Sequence, residues 1–232
     1  MIDHGSADTE HRGWKLTAAL IVAASAIGIV TGVVALALEH LVDDVVKELF
    51  EGPAWLPAVA VVVGAVLTAV VVRFAAGGST ASTEVYVDEF HQESLTVEPK
   101  YAPGRLLAAF TTLGSGAPLG MEGPAVYTGT AVATGLRRWW PTLGGVSHNP
   151  LLVAGAAAGV AAVFKAPVAG AIFALEVPFR GRLAGERVLP AVFGSATGFL
   201  TVASIDGVEP ELHVAALELT YARCSARSRS ES

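Results

Sequence analysis

Hydrophobic positions follow two different patterns along the first half of the chain. Residues 16–38 and 52–72 are uninterrupted runs without a charge. Each has the length of about 20 residues that a helix needs to cross a bilayer. Between them, residues 39–50 place apolar side chains on one helical face and charged side chains on the other. These patterns predict two spanning helices, the first continuing as an amphipathic helix at the membrane interface.

After residue 75 the apolar stretches become shorter. A polar, acidic segment at 83–100 predicts a loop or surface segment. Apolar stretches then follow at 106–121, 123–136, 139–164, 166–175 and 188–205. Most are broken by glycine, proline or one charge. Broken backbone inside a membrane is tolerated only where it is buried in protein or lines a cavity, and transporters bind substrates there. We therefore predict an all-α, polytopic membrane protein with spanning and broken helices.

Composition supports a membrane protein and excludes several other classes. Only 16% of residues are charged, against about 25% in soluble domains, and 53% are hydrophobic. The net charge of −6 lacks the basic footprint of a nucleic-acid-binding protein. Cys224 is the only cysteine, and the six histidines show no ligand spacing. We expect the lipid bilayer as a partner, and no nucleic acid, metal, cofactor or enzymatic activity.

Basic residues and small residues give expectations for orientation and packing. Arg12 and Lys15 precede the first run, whereas Lys47 alone separates the two, which favours a cytoplasmic N-terminal tail at 1–13. GxxxG spacings, typical of close helix packing, lie within apolar stretches, although an Ala- and Gly-rich composition could also produce them. The pairs are Gly28/Gly32, Gly155/Gly159 and Gly194/Gly198.

The strongest local chemical signal is Gly120-Met121-Glu122-Gly123-Pro124. Pro124 suits the first turn of a helix, where its missing N–H is not needed. The amides of Met121, Glu122 and Gly123 could then converge on an anion at the positive end of the helix dipole. Glu122 is an ionisable residue in an otherwise uncharged stretch, which indicates function. The alternative is a carboxylate that only complements the dipole.

Two further segments carry local signals, one for ligand binding or helix capping and one for a broken helix. Gly77-Gly78-Ser79-Thr80 lets the backbone approach a ligand, and Ser79 could bind that ligand or cap the next helix. Residues 155–177 contain densely spaced small residues, with a break at Ala166-Pro167 that predicts two half-helices.

These three segments, in this order, resemble motifs of the CLC family of chloride channels and chloride/proton exchangers, over roughly residues 14–220. The family has a GSGIP-type motif with the serine of the central anion site and a GREGP motif with the gating glutamate. A run similar to residues 155–177 then follows. The resemblance implies the first of two inverted repeats of the CLC fold, as a membrane domain at 14–205.

The resemblance also implies roles for individual residues. Ser79 would bind the central anion, and the carboxylate of Glu122 would be the gate, occupying an anion position when charged and leaving it when protonated or displaced. Gly120, Met121 and Gly123 would contribute to anion binding, with Pro124 at the helix start. Chloride is the expected anion.

Departures from the family pattern refine these expectations. Thr80-Ala81-Ser82 replaces the Gly-Ile-Pro after the family serine, and Met121 replaces the usual arginine. Val177 stands where exchangers carry an inner proton-accepting glutamate, which favours passive conduction over proton exchange. Lys165 could attract anions to the inner mouth, or its stem could reach the membrane interface.

The second repeat of the family is not found in this sequence, which lacks its GxFxP helix start and its tyrosine. A loop at 206–222 leads to an Arg/Ser-rich tail at 223–232 that we expect to be disordered, reflecting either a frameshift or truncation or an authentic short tail. We expect the chain to form a homodimer or associate with a separate second-half polypeptide, in a prokaryotic cell membrane. The alternative function is a non-conducting membrane fragment or packing subunit.

Overall fold

Eight α-helices, with two short 3-10 turns, make up the regular structure of the part of the chain that the computed structural model describes, residues 4–92, 97–139, 148–178 and 185–208. The helices are α1 (His4–Glu51), α2 (Leu56–Phe74), α3 (Thr83–Gln92), α4 (Ala102–Leu113), α5 (Glu122–Trp139), α6 (His148–Phe164), α7 (Pro167–Glu176) and α8 (Val188–Asp206). The prediction of an all-α membrane protein with broken helices is confirmed.

Three of these helices are long and apolar enough to cross a membrane. They comprise Gly13–Glu51, Leu56–Phe74 and Gly185–Asp206. The first confirms that the run at 16–38 and the amphipathic segment at 39–50 form one continuous helix, which begins within the predicted tail at 1–13. The chain is therefore an integral membrane protein with several spans.

Helix α2 is the spanning helix that packs least against the rest of the molecule. Only 6% of its spanning window is buried, and Val62 and Val66 are among its exposed apolar residues. It begins at Leu56, after the turn at Pro53, with Pro57 in its first turn and Arg73 in its last. Its apolar surface is suited to contact with lipid.

Helix α6 forms the centre of the bundle. Beyond its first turn it is apolar on every side, so it has no polar face to turn toward water. Helices α1, α5, α7 and α8 all pack against it, and residues 149–162 are buried. A helix that is hydrophobic all round is stable in this position because its neighbours cover each face.

The GxxxG pairs lie where helices cross most closely, as predicted. A Cβ atom on Gly198 of α8 would lie 2.8 Å from the carbonyl oxygen of Ala158 in α6, and one on Gly32 of α1 would lie 2.9 Å from the carbonyl oxygen of Gly198. Gly28 packs in the same way against Gly194. Helix α8 thus fits between α1 and α6 because its own glycines lie against α6, while Gly28 and Gly32 of α1 leave room for its Thr197 and Thr201 side chains.

The predicted break at Ala166-Pro167 is also confirmed, since α6 ends at Phe164 and α7 begins at Pro167. Lys165 has a φ of +50°, a left-handed conformation uncommon for a residue other than glycine. The loop at 206–222 and the tail at 223–232 lie outside the described residues from position 209 onward.

Candidate functional site

The turn that follows α2 is held by the start of α4. Gly77 and Gly78 have φ values of +69° and +79°, which glycine adopts without a steric penalty. A Cβ atom on Gly77 would also lie 3.0 Å from the Tyr101 ring, and the Arg105 Nε–H donates to the carbonyl oxygen of Ala76 at 3.2 Å. These contacts fix the backbone that leads into the Ser79 segment.

Ser79 lies in this connection, half-buried, between α2 and α3. Its hydroxyl makes a long hydrogen bond of 3.5 Å to the carbonyl oxygen of Thr80. Because α3 begins at Thr83, the capping position is Ser82 rather than Ser79. The capping alternative for Ser79 is therefore wrong.

The first turn of α5 carries the candidate gate. The helix begins at Glu122, with Pro124 in its first turn, and the Ala125 N–H donates to the Met121 carbonyl oxygen at 3.0 Å. The amides of Glu122 and Gly123 precede the first helical acceptor, so no carbonyl of their own helix can pair with them. The exposed Glu122 side chain folds back so that its carboxylate occupies the space a side chain at Gly120 would need.

A cavity of about 420 Å³ lies where the N-termini of α3 and α5 meet. A Cβ atom on Gly123 would lie 3.3 Å from the carbonyl oxygen of Ala81, so the absence of a side chain permits this approach. The lining comes from α2, α4 and the two helix starts: Thr68, Thr80, Ala81, Ser82, Thr83, Ala108, Ala109, Thr112, Leu113, Leu119, Gly120, Gly123 and Pro124.

The cavity suits an anion better than a cation. All of the lining residues are uncharged, and several are hydroxyl-bearing. The positive ends of the α3 and α5 dipoles both face this region, and hydroxyl groups can donate hydrogen bonds to an anion. The structure thus brings two of the three predicted segments together, with Thr80 rather than Ser79 on the cavity wall.

Residue patterns did not predict the contribution of α2 and α4 to this wall. Thr68 is a polar residue in an uninterrupted apolar run, and Thr112 lies in an apolar stretch with Thr111 beside it. Hydroxyl groups in apolar segments were the available signal, but the pairing of the two helices is a tertiary contact.

Lys165 lies apart from the residues that line the cavity. Its Nζ atom is 3.3 Å from Oδ2 of Asp206 at the end of α8, and its side chain is only 9% exposed. Oδ1 of Asp206 is 3.4 Å from Nε2 of His40 on α1. The carboxylate of Asp206 balances the lysine charge, which weakens the case for Lys165 as an anion-attracting residue.

The family model described as voltage gated chloride channel matches residues 63–226 of this chain. That range includes all three predicted segments and leaves out α1, which precedes them.

Curated relatives match shorter parts of the chain. A chloride/fluoride channel protein of Pseudomonas syringae pv. tomato is 35% identical over 112 residues, which is 48% of this chain and 25% of that protein. The H(+)/Cl(-) exchange transporter ClcA of Vibrio cholerae serotype O1 is 40% identical over 74 residues, which is 32% of this chain and 16% of that protein. The matched segments span a quarter or less of these relatives.

Solved structures show the same fold over most of this chain. A CLC-type fluoride/proton antiporter superposes with a TM-score of 0.70 and 22% identity, over 90% of this chain and 53% of that one. A slow cyanobacterial Cl⁻/H⁺ antiporter superposes with a TM-score of 0.66 and 25% identity, over 81% and 47%. This chain thus spans about half the length of those proteins. From the family match over most of its length, the chain belongs to the voltage-gated chloride channel, or CLC, family.

Proposed function

We propose that this chain provides half of an anion pathway of the CLC type, with chloride as the anion and Glu122 as the gate. The observation that carries the proposal is the position of the Glu122 carboxylate. It folds over Gly120 at the start of α5, beside a cavity lined by uncharged groups at two helix N-termini. A carboxylate and a halide would compete for the same amides there.

In this proposal the gate opens when the Glu122 carboxylate leaves its position and a halide takes its place. The charged carboxylate is stabilised at the helix N-terminus and blocks the position. Protonation removes that attraction, and an arriving halide can also displace the carboxylate. Ser79, whose hydroxyl makes only a 3.5 Å hydrogen bond, would turn toward the anion on the inner side.

Passive conduction is favoured over exchange for protons. Val177 directly follows α7 and offers no group that can carry a proton at the position where exchangers have glutamate. The relatives include both a channel and an exchange transporter by name, so this preference depends on Val177.

The complete pathway requires a second half, since this chain spans 53% and 47% of the two solved chains. We propose that a second copy of the chain or a separate polypeptide supplies it. The assembly would lie in a prokaryotic cell membrane. Its N-terminus would be cytoplasmic, because the basic residues before the first span favour that orientation.

Halide efflux from liposomes that contain the purified chain tests the proposal. Glu122→Gln keeps the side-chain shape but cannot ionise, so efflux should rise at neutral pH and lose its dependence on pH. Glu84→Gln is the matched control, because Glu84 is an exposed first-turn glutamate on the neighbouring helix α3. It should behave as the unmodified chain.

Two results would contradict the proposal. Efflux from the Glu122→Gln variant that keeps the pH dependence of the unmodified chain would remove Glu122 as the gate. No halide efflux from well-reconstituted chain would rule out a pathway completed by a second copy of the chain, and would favour a non-conducting membrane fragment or packing subunit.

A further inference from the structure

Three threonine hydroxyls form a cluster between α2 and α4. Oγ1 of Thr68 lies 2.8 Å from Oγ1 of Thr111 and 2.8 Å from Oγ1 of Thr112. Thr111 and Thr112 also donate to the carbonyl oxygen of Ala108, at 3.0 and 2.8 Å. A threonine in a helix commonly bonds back to its own helix, as Thr112 does, whereas the Thr68 hydroxyl reaches across to α4.

Two members of this cluster face the cavity at the start of α5. Thr68 and Thr112 belong to its lining, with Thr80, Ser82 and Thr83 as further hydroxyl-bearing residues of the wall. Thr111 is part of the same hydrogen-bonded cluster but is not among the lining residues. The cluster therefore has one face toward the cavity and one face toward the protein.

The hydrogen bonds of the cluster can rearrange to offer one proton to the cavity, at the cost of the bond from Thr112 to the carbonyl oxygen of Ala108. Each hydroxyl has one proton and two lone pairs. If Thr111 keeps its bond to Ala108 and Thr112 turns from Ala108 to donate to Thr68, the Thr68 proton can leave its long 3.5 Å contact with the Ala108 carbonyl oxygen and serve a ligand. The Thr68 oxygen then accepts a hydrogen bond while it donates one, and such a chain strengthens the terminal donor.

The carbonyl acceptors at the end of α4 are already used, which favours an anion over a cation as the ligand on this wall. At the end of α4, the carbonyl oxygen of Phe110 accepts from the Gly114 N–H at 2.8 Å, and that of Leu113 accepts from the Gly116 N–H at 2.9 Å. The Ser115 hydroxyl donates to the carbonyl oxygen of Thr112 at 2.6 Å. The groups that can turn to a ligand here are the hydroxyl protons of the cluster and the first-turn amides.

We propose that Thr68 and Thr112 form a hydroxyl-lined subsite for a small inorganic anion, on the wall of the cavity that α2 and α4 provide. The subsite rests on the proposed function and deepens it, because it assigns to α2 and α4 a direct part in holding the anion. Chloride is the probe of choice, and fluoride is a smaller anion that accepts stronger hydrogen bonds.

Calorimetric titration of the full 232-residue chain in detergent with sodium chloride tests the subsite. Thr68→Val removes the hydroxyl but keeps the side-chain shape, so chloride affinity should fall about tenfold, as expected for one hydrogen bond to a charged ligand. Thr68→Ser keeps a hydroxyl and should retain the affinity to within about twofold. Sodium fluoride should show the same order of variants.

Thr111→Val is the matched control, because it removes a hydroxyl from the cluster but not from the cavity wall. Its chloride affinity should equal that of the unmodified chain. Equal losses in Thr68→Val and Thr111→Val would mean that the cluster only ties α2 to α4, and would overturn the subsite. Unchanged affinity in Thr68→Val would also overturn it.

The failure of the subsite can be separated from the failure of the proposed function. If the unmodified chain binds chloride and Thr68→Val binds it equally well, only the subsite is lost. If the unmodified chain binds no chloride, both are lost. Should Thr68→Val fail to fold, Thr112→Val gives the same test from α4, with the same expected weakening.

Discussion

The space beside Gly120 is the residue-scale feature on which the candidate gate depends. The Glu122 carboxylate can lie over this position only because residue 120 has no side chain. A side chain at residue 120 and the carboxylate of Glu122 would therefore compete for the same space, in addition to any electrostatic effect. A methyl group at residue 120 would compete directly with the flexible end of the Glu122 side chain.

Gly120→Ala should therefore displace the carboxylate from its position at the start of α5. The expected result is faster halide efflux from liposomes at neutral pH, with less dependence on pH than in the unmodified chain. Combination with Glu122→Gln should add little, because both changes act on the same gate. An additive effect of the two changes would show that residue 120 acts by another route.

At the scale of helices, the contacts of α8 with α1 and α6 hold the bundle together. They depend on positions without side chains, where carbonyl oxygens of one helix lie against the α-carbons of the next. Interhelical attraction in a bilayer comes largely from such close packing, since lipid is as apolar as the helices themselves.

Gly198→Ala should destabilise the bundle by about 2 kcal/mol, the cost typical of an overfilled contact. The new methyl group would lie 2.8 Å from the carbonyl oxygen and 3.0 Å from the Cα atom of Ala158. Unfolding in SDS, followed by circular dichroism, gives the measurement. Gly13→Ala is the control in α1, where a Cβ atom meets nothing within 4 Å and alanine should be neutral or slightly stabilising.

Sequence patterns predicted the helices and their breaks well, but only part of the site. Uncharged runs, proline and glycine act locally, so they indicated α1, α2 and the break before Pro167. The same is true of the helix start near Pro124. The position of Thr68 in the cavity wall depends on how α2 packs against α4, and the pairing of Lys165 with Asp206 joins residues far apart in sequence. Neither contact leaves a periodic signal in the sequence.

On the scale of the whole molecule, a cluster of three polar side chains joins three parts of the bundle. It consists of His40 on α1, Lys165 at the break between α6 and α7, and Asp206 at the end of α8. The left-handed backbone of Lys165 directs a mostly buried side chain to this cluster. The contact links a position within α1 to the ends of α6 and α8, and these helices also pack along their lengths.

Asp206→Asn should lower the free energy of unfolding by about 1 to 2 kcal/mol, because a mostly buried ammonium would lose a carboxylate partner. Asp43→Asn, an exposed position on α1, should have little effect. The same unfolding assay applies. If Lys165→Met combined with Asp206→Asn costs as much as the two single changes summed, the two side chains do not interact.

The enclosed position of α6 has a consequence for how the chain is made. Four helices cover α6, and two of them, α7 and α8, are synthesised after it. During translation, the small-residue surface of α6 that packs against Gly194 and Gly198 stays exposed to the translocon or to lipid until α8 emerges. Membrane insertion of this bundle is thus a cooperative event of its later helices, and a ribosome stalled before α8 would leave α6 open to lipid or to chaperones along that face.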